Sequence, residues 1–220
     1  MGHEMEKRPG FLPLIFRGDR TRALVVGGGK VARRKIEDLL DAGCEVSAIA
    51  PVWEGSLEER MIARGAAYET RAVRAGDTTG FTLVIVATDD PEVNRTVSEE
   101  ARAAGIPVNV VDQPELCTIY FAAVIRSDPL LVAVSTGGAA PFLAREIKGA
   151  LADVIEGEWR IRARWAEKIR DFARDHLSDP AQREKVYSAF LAVDDASMLR
   201  WNEAAPPLDL WGRWAVEENQ

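Results

Sequence analysis

The chain has 220 residues and a formal net charge of −7, with 47% hydrophobic and 29% charged residues. That balance belongs to a globular chain with a real core and excludes wholesale disorder. It also argues against a nucleic-acid partner, because such binding rests on many phosphate contacts from Lys and Arg.

From about residue 11 to 112 short β-rich runs alternate with helical stretches. Ala23–Val26 reads as a strand buried on both faces. Lys30–Ala42 follows with Val31, Ile36, Leu39 and Leu40 at helical spacing, and Gly43 stops it. The pattern then predicts strands at Glu45–Ala50, Ala67–Arg71, Phe81–Ala87 and Pro107–Val111. Helices are predicted near Ser56–Arg64 and from Pro91 to about Ala104. Strands alternating with helices predict an α/β fold, a Rossmann-like doubly wound parallel sheet.

After Asp112 the grammar changes. Ile119–Ile125 and Leu130–Ser135 are separated by Arg126–Pro129, which reads as an antiparallel hairpin. A long helical tract follows, with an apolar stripe at Leu143, Ile147, Leu151 and Ile155. Trp159–Arg174 carries six basic and two acidic residues, and the tail holds Trp201, Trp211 and Trp214. The expected organisation is a nucleotide-binding domain over 1–112, a small β dimerisation and substrate segment over 113–150, and a helical C-terminal domain over 151–220. The hairpin strands are apolar nearly throughout, and a two-stranded unit cannot bury both of its faces alone, so a homodimer is expected.

The longest apolar run, Ile119–Ile125, has seven residues, whereas a membrane helix needs about 20. No hydrophobic signal core opens the chain at Met1–Gly10. No membrane association and a cytoplasmic location are therefore expected, with Cys44 and Cys117 reduced. His3 and His176 are the only histidines, so neither a metal site nor a His-based triad is expected. The chemistry falls to carboxylates, hydroxyls, backbone or a cofactor.

Gly27-Gly28-Gly29-Lys30-Val31-Ala32 fits G-x-G-x-x-A after a buried strand and before a helix. Gly27 permits the turn, Gly29 lets a pyrophosphate approach the backbone, and Ala32 lets helix and strand pack closely. The acid that usually takes the ribose 2′-hydroxyl is missing at the end of the second strand, where Pro51-Val52-Trp53 precede Glu54. NAD and NADP are not separated by that rule. Arg33, Arg34 and Lys35 read either as 2′-phosphate partners or as the solvated side of the first helix. Thr88 and Asp89 follow the fourth strand at the ligand-binding edge of such a sheet, although Asp89 and Asp90 also suit a helix cap. Asp112 ends the next strand on the same edge, where a carboxylate could accept a proton or simply shape a turn. Ser135-Thr136-Gly137-Gly138 could cradle an anionic group or form a tight turn.

Four stretches, Val25–Lys35, Ala87–Asn94, Asn109–Cys117 and Pro129–Arg145, together resemble the precorrin-2 dehydrogenases of siroheme synthesis, including the bifunctional dehydrogenase–ferrochelatases and the N-terminal module of siroheme synthases. The chain departs from that pattern at Ile119, Ala122 and Ala140. The resemblance implies NAD⁺-dependent oxidation of the tetrapyrrole precorrin-2 to sirohydrochlorin, with Fe²⁺ a substrate in members that also chelate. It places the key aspartate at Asp112 and cofactor contacts on Gly27–Gly29, Lys30, Val31, Pro51 and Val52. It places Thr136 in a slot that can be phosphorylated in synthases, and it implies a dimer; the anion-cradle reading makes Ser135–Gly138 the substrate-side candidates. The anionic substrate makes Arg126, Arg145, Lys148 and the basic tract Arg160–Arg174 candidate partners. Two other readings are a regulatory NAD(H)-binding module of the potassium-transport type and an NAD(P)-dependent reductase of another small molecule. Asp112 occurring together with the Ser135–Gly138 loop favours the tetrapyrrole reading.

Overall fold

A computed structural model describes residues 10–203, 205–206 and 209–216. His3 and most of the opening decapeptide lie outside them. The chain forms two units, one ending at Phe121 and the other beginning at Ala122.

In the first unit, strands β1 (Arg22–Val26), β2 (Glu45–Ala50), β3 (Ala67–Thr70), β4 (Leu83–Val86) and β5 (Val108–Val110) form one parallel sheet in the order β3-β2-β1-β4-β5. This is the doubly wound sheet expected, with its order reversing between β1 and β4. The continuous apolar strands have a direct cause, because both faces are covered. Ala23, Val25, Ala48 and Ile85 pack on one side against helices α1 (Lys30–Asp41) and α2 (Leu57–Ala63). Leu24, Val26, Ile49, Val84 and Val86 pack on the other, against α3 (Pro91–Ala103). Alternate residues of one strand thus feed two cores.

Local signals set the helix ends. Gly43, with φ of 77°, ends the turn after α1. Asp90 caps α3 by accepting from the Glu92 and Val93 N–H groups at 2.9 and 3.3 Å, with Pro91 in the first turn. Between β3 and β4 the chain makes turns rather than a helix. Glu100 of α3 holds that segment by accepting from the Gly76 and Thr78 N–H groups at 2.9 and 3.0 Å.

The second unit opens on the antiparallel pair β6 (Ala123–Ser127) and β7 (Leu130–Val134). β6 starts four residues later than the apolar run suggests, for a physical reason. β5 is an edge strand, and its outward amides are satisfied by side chains from the following segment. The Val108 N–H donates to Thr118 Oγ1 at 2.8 Å and the Val110 N–H to Cys117 Sγ at 3.2 Å. Thr118 and Ile119 also donate their backbone N–H groups to the Val108 carbonyl at 2.8 and 3.3 Å. Residues 117–119 therefore belong to the first unit's edge.

Helix α4 (Pro141–Val154) leads through a kinked stretch at Gly157 into α5 (Arg160–His176). Ile161, Trp165 and Ile169 of α5 pack with Val186, Phe190, Met198 and Ala215, and with Trp201, Trp211 and Trp214. The Trp-rich tail is thus the core of the helical unit. The basic tract is partly structural: buried Arg162 donates to Asp195 Oδ1 at 2.6 Å and the Val193 carbonyl at 2.7 Å, and Lys168 lies over the Trp165 ring at 4.3 Å. No helix among the described residues is long and apolar enough to cross a membrane.

Candidate functional site

Because the sheet is parallel, the segments after β1, β2, β4 and β5 all emerge at one edge. That edge gathers Gly27–Lys30, Pro51 and Val52, Thr88 and Asp89, and Asp112.

The three glycines do different work. Gly27 has φ of 129°, and a Cβ there would stand 2.2 Å from the Ala87 carbonyl oxygen. A Cβ on Gly28 would stand 2.0 Å from the Val52 oxygen, so the middle glycine admits the segment after β2. That segment is latched by the Glu54 N–H donating to the Gly28 carbonyl at 2.8 Å. Gly29 is open: a Cβ would meet only Glu54 Oε2, at 4.0 Å. Gly29 is also the N-cap of α1, without a side-chain cap bond and with no acid in the first turn. Open space over Gly29 and uncapped amides at a helix N-terminus suit a dinucleotide pyrophosphate.

Lys30 stands beside this space, 3.5 Å from Glu54 Oε1, while Val31 and Val52 are exposed and Ala32 is buried in the core. Lys35 is not on a solvated face. Its Nζ lies 4.0 Å from the Phe121 ring centroid, and burial pushes its pKa down, with Asp38 acting in the opposite direction. Arg33 Nε is buried without a hydrogen-bond partner.

After β4, Thr88 is held twice. Its hydroxyl donates to Asn94 Oδ1 at 2.7 Å, and Asn94 Nδ2 donates to the Thr88 carbonyl at 3.0 Å. Asn94 is buried, so it fixes this loop from inside. Asp90 performs the capping, and Asp89 is exposed and engaged with no other described residue.

Asp112 has φ of 58°, the one non-glycine residue with positive φ among those described. Aspartate tolerates this left-handed conformation better than most residues, and such strain concentrates at functional sites. Its carboxylate is exposed and makes no hydrogen bond or ion pair to a described residue. The turn is held around it: the Val111 N–H donates to the Val86 carbonyl at 2.9 Å. The Cys117 thiol lies 3.1 Å from the Val110 carbonyl oxygen and 3.4 Å from that of Gln113. Burial raises the Cys117 pKa, with a smaller opposing effect from the Val110 N–H, so the group stays a thiol and can donate. Cys117→Ala removes the acceptor of the Val110 amide and should cost about 1–3 kcal/mol in urea denaturation. Cys117→Ser should recover part of that loss, and an alanine variant as stable as the parent would contradict this role.

Ser135–Gly138 and Arg145 belong to the second unit. Ser135 Oγ accepts from the Gly137 N–H at 3.1 Å and Thr136 Oγ1 from the Ala140 N–H at 3.0 Å. Gly137 and Gly138 both have positive φ, 60° and 78°. The hydroxyls therefore shape the turn into α4. Arg145 is exposed. Among the described residues no cluster of His, Cys, Asp or Glu is arranged to hold a metal ion.

The residue that spacing failed to find is Glu54. It lies beyond β2 rather than at its end, and only the latch onto Gly28 returns it to the glycine loop.

Residues 14–123 match the family described as "Putative NAD(P)-binding". The chain is 41% identical over 181 residues to the siroheme synthase of Methylococcus capsulatus, covering 82% of this chain and 38% of that protein. It is 43% identical over 173 residues to the siroheme synthase of Pseudomonas entomophila, covering 79% and 37%. The chain thus spans about two fifths of the length of these relatives. Among solved structures, one titled "SirC, precorrin-2 dehydrogenase" has the same fold, with a TM-score of 0.69 and 22% identity over 93% of this chain and 96% of that one.

Proposed function

The chain belongs to the NAD(P)-binding family that its residues 14–123 match, and from that premise we propose that it is a precorrin-2 dehydrogenase using NAD⁺. The observation that carries the reading is Asp112, an uncommitted carboxylate in a strained turn on the same sheet edge as the open glycine loop. Kinship of over 40% identity to siroheme synthases across their matching portion supports it.

A bound nicotinamide would supply the hydride acceptor. Everything else in the step falls to the chain. The α1 N-terminus and Gly29 bind the pyrophosphate, and Lys30 adds a positive charge beside it. Thr88, fixed by Asn94, borders the site after β4. Asp112 accepts the proton that leaves as the macrocycle loses a hydride, so precorrin-2 gives up two electrons and two hydrogens to become sirohydrochlorin. No histidine is needed for that inventory. A second step, insertion of Fe²⁺ as a substrate, requires pyrrole protons to leave and would use the same carboxylate. In the second unit, the Ser135–Gly138 loop and Arg145 are the proposed partners for the tetrapyrrole carboxylates.

Incubation with precorrin-2 and NAD⁺ should generate the absorption spectrum of sirohydrochlorin. An unchanged precorrin-2 spectrum with active, NAD⁺-loaded protein would overturn the assignment.

The protein acts as a homodimer formed through residues 113–150. Phe142, Leu143 and Ile147 of α4 and Leu131 of β7 are exposed apolar side chains, which a self-complementary partner patch would cover. Sedimentation equilibrium should return twice the chain mass at micromolar concentration. A monomer mass independent of concentration, or a dimer untouched by Leu143→Glu together with Ile147→Glu, would contradict this arrangement.

A further inference from the structure

The geometry points to Glu54 as the residue that reads the adenosine ribose and selects NAD over NADP. This inference rests on the cofactor site proposed above.

The usual acid stands at the end of the second strand, and here that position is apolar. β2 stops at Ala50, and Pro51-Val52-Trp53 intervene before Glu54. The intervening residues return the chain to the glycine loop. The Val52 carbonyl occupies the place that a Cβ on Gly28 would need, and the Glu54 N–H donates to the Gly28 carbonyl at 2.8 Å. Trp53 anchors the opposite side: its Nε1–H donates to Thr70 Oγ1 at 2.9 Å, and its ring meets Tyr68 edge-on at 5.8 Å. With its backbone latched and its neighbour pinned towards β3, Glu54 sets its carboxylate against the glycine loop. Oε2 lies 4.0 Å from the Cβ position of Gly29, and Oε1 lies 3.5 Å from Lys30 Nζ.

A pyrophosphate over Gly29 and the α1 N-terminus brings the adjoining ribose over the end of the second strand. A carboxylate there accepts hydrogen bonds from ribose hydroxyls. A 2′-phosphate in the same place would bring about two negative charges against it. Cations that could offset this are largely committed. Lys30 is paired with Glu54 itself, and half-buried Lys35 holds its Nζ over the Phe121 ring. Arg34 remains as the exposed arginine of α1. The carboxylate therefore favours a 2′-hydroxyl and disfavours a 2′-phosphate.

Glu54→Gln keeps the size of the side chain and the backbone latch, and circular dichroism should show the parent fold. Isothermal titration with NAD⁺ and with NADP⁺ gives the decisive ratio. The parent should bind NAD⁺ at least about tenfold more tightly than NADP⁺, the effect of one hydrogen bond to a charged group. In Glu54→Gln the NAD⁺ affinity should fall about tenfold and the two dinucleotides should bind within about threefold of each other. Glu54→Lys should go further and bind NADP⁺ at least as well as NAD⁺. A parent that binds both equally, or a Gln variant that keeps the parent ratio, overturns the role of Glu54 while leaving the cofactor site in place. A parent that binds neither dinucleotide overturns the cofactor site itself.

Discussion

Replacing Asp112 with asparagine should lower precorrin-2 oxidation by about 10²–10⁴-fold, the usual loss when a positioned general base is removed. Asparagine is nearly isosteric and also tolerates the left-handed conformation seen at φ of 58°. The turn should therefore survive, together with its Val111–Val86 bond and its Cys117 contacts. NAD⁺ affinity should stay near that of the parent, because the glycine loop is untouched. The pairing of lost turnover with retained binding is the diagnostic result, read from single-turnover rates beside calorimetry. Near-parent turnover would reduce Asp112 to a turn residue. A loss confined to Fe²⁺ insertion would instead make it a chelation group, with the hydride step driven by positioning.

Gly29→Asp should weaken NAD⁺ binding by about a hundredfold or more without destabilising the fold. The Gly29 backbone is extended, with φ of −87° and ψ of −174°, so a side chain brings no strain. A Cβ meets nothing nearer than Glu54 Oε2 at 4.0 Å. The added carboxylate would stand in the space a pyrophosphate must enter, with the Glu54 carboxylate at its border. Gly28→Ala makes the contrasting control. Its Cβ would fall 2.0 Å from the Val52 oxygen, so the segment carrying Glu54 must move, and the cost should be on the order of 1–3 kcal/mol in urea denaturation. A Gly29→Asp protein that binds NAD⁺ as the parent does would remove the pyrophosphate assignment.

Much of the first unit was legible in the sequence because its strands are buried on both faces. Ala23–Val26 and Leu83–Val86 are unbroken apolar runs for that reason, and the glycine pattern falls at the first strand-to-helix turn. What local pattern does not encode is where a segment goes after a strand ends. Glu54 looked too late to reach a ribose, because the return of residues 51–54 onto Gly28 is a tertiary contact. Ile119 looked like the start of a hairpin strand, but the outward amides of β5 needed acceptors and took residues 117–118 as their cover. Lys35 read as a 2′-phosphate partner or a solvated charge, because its contact with the distant Phe121 ring through Nζ is tertiary. The tryptophans of the tail carried no periodic signal of their own, since their common core draws on α5 and three later helices.

The most direct test of the proposed activity is the stoichiometry of a closed reaction containing only the purified protein, precorrin-2 and NAD⁺. One NADH should form for each sirohydrochlorin, both traces should rise together, and the rate should scale with protein concentration. Sirohydrochlorin that accumulates without NADH, or no sirohydrochlorin at all from protein that binds NAD⁺, would contradict the assignment.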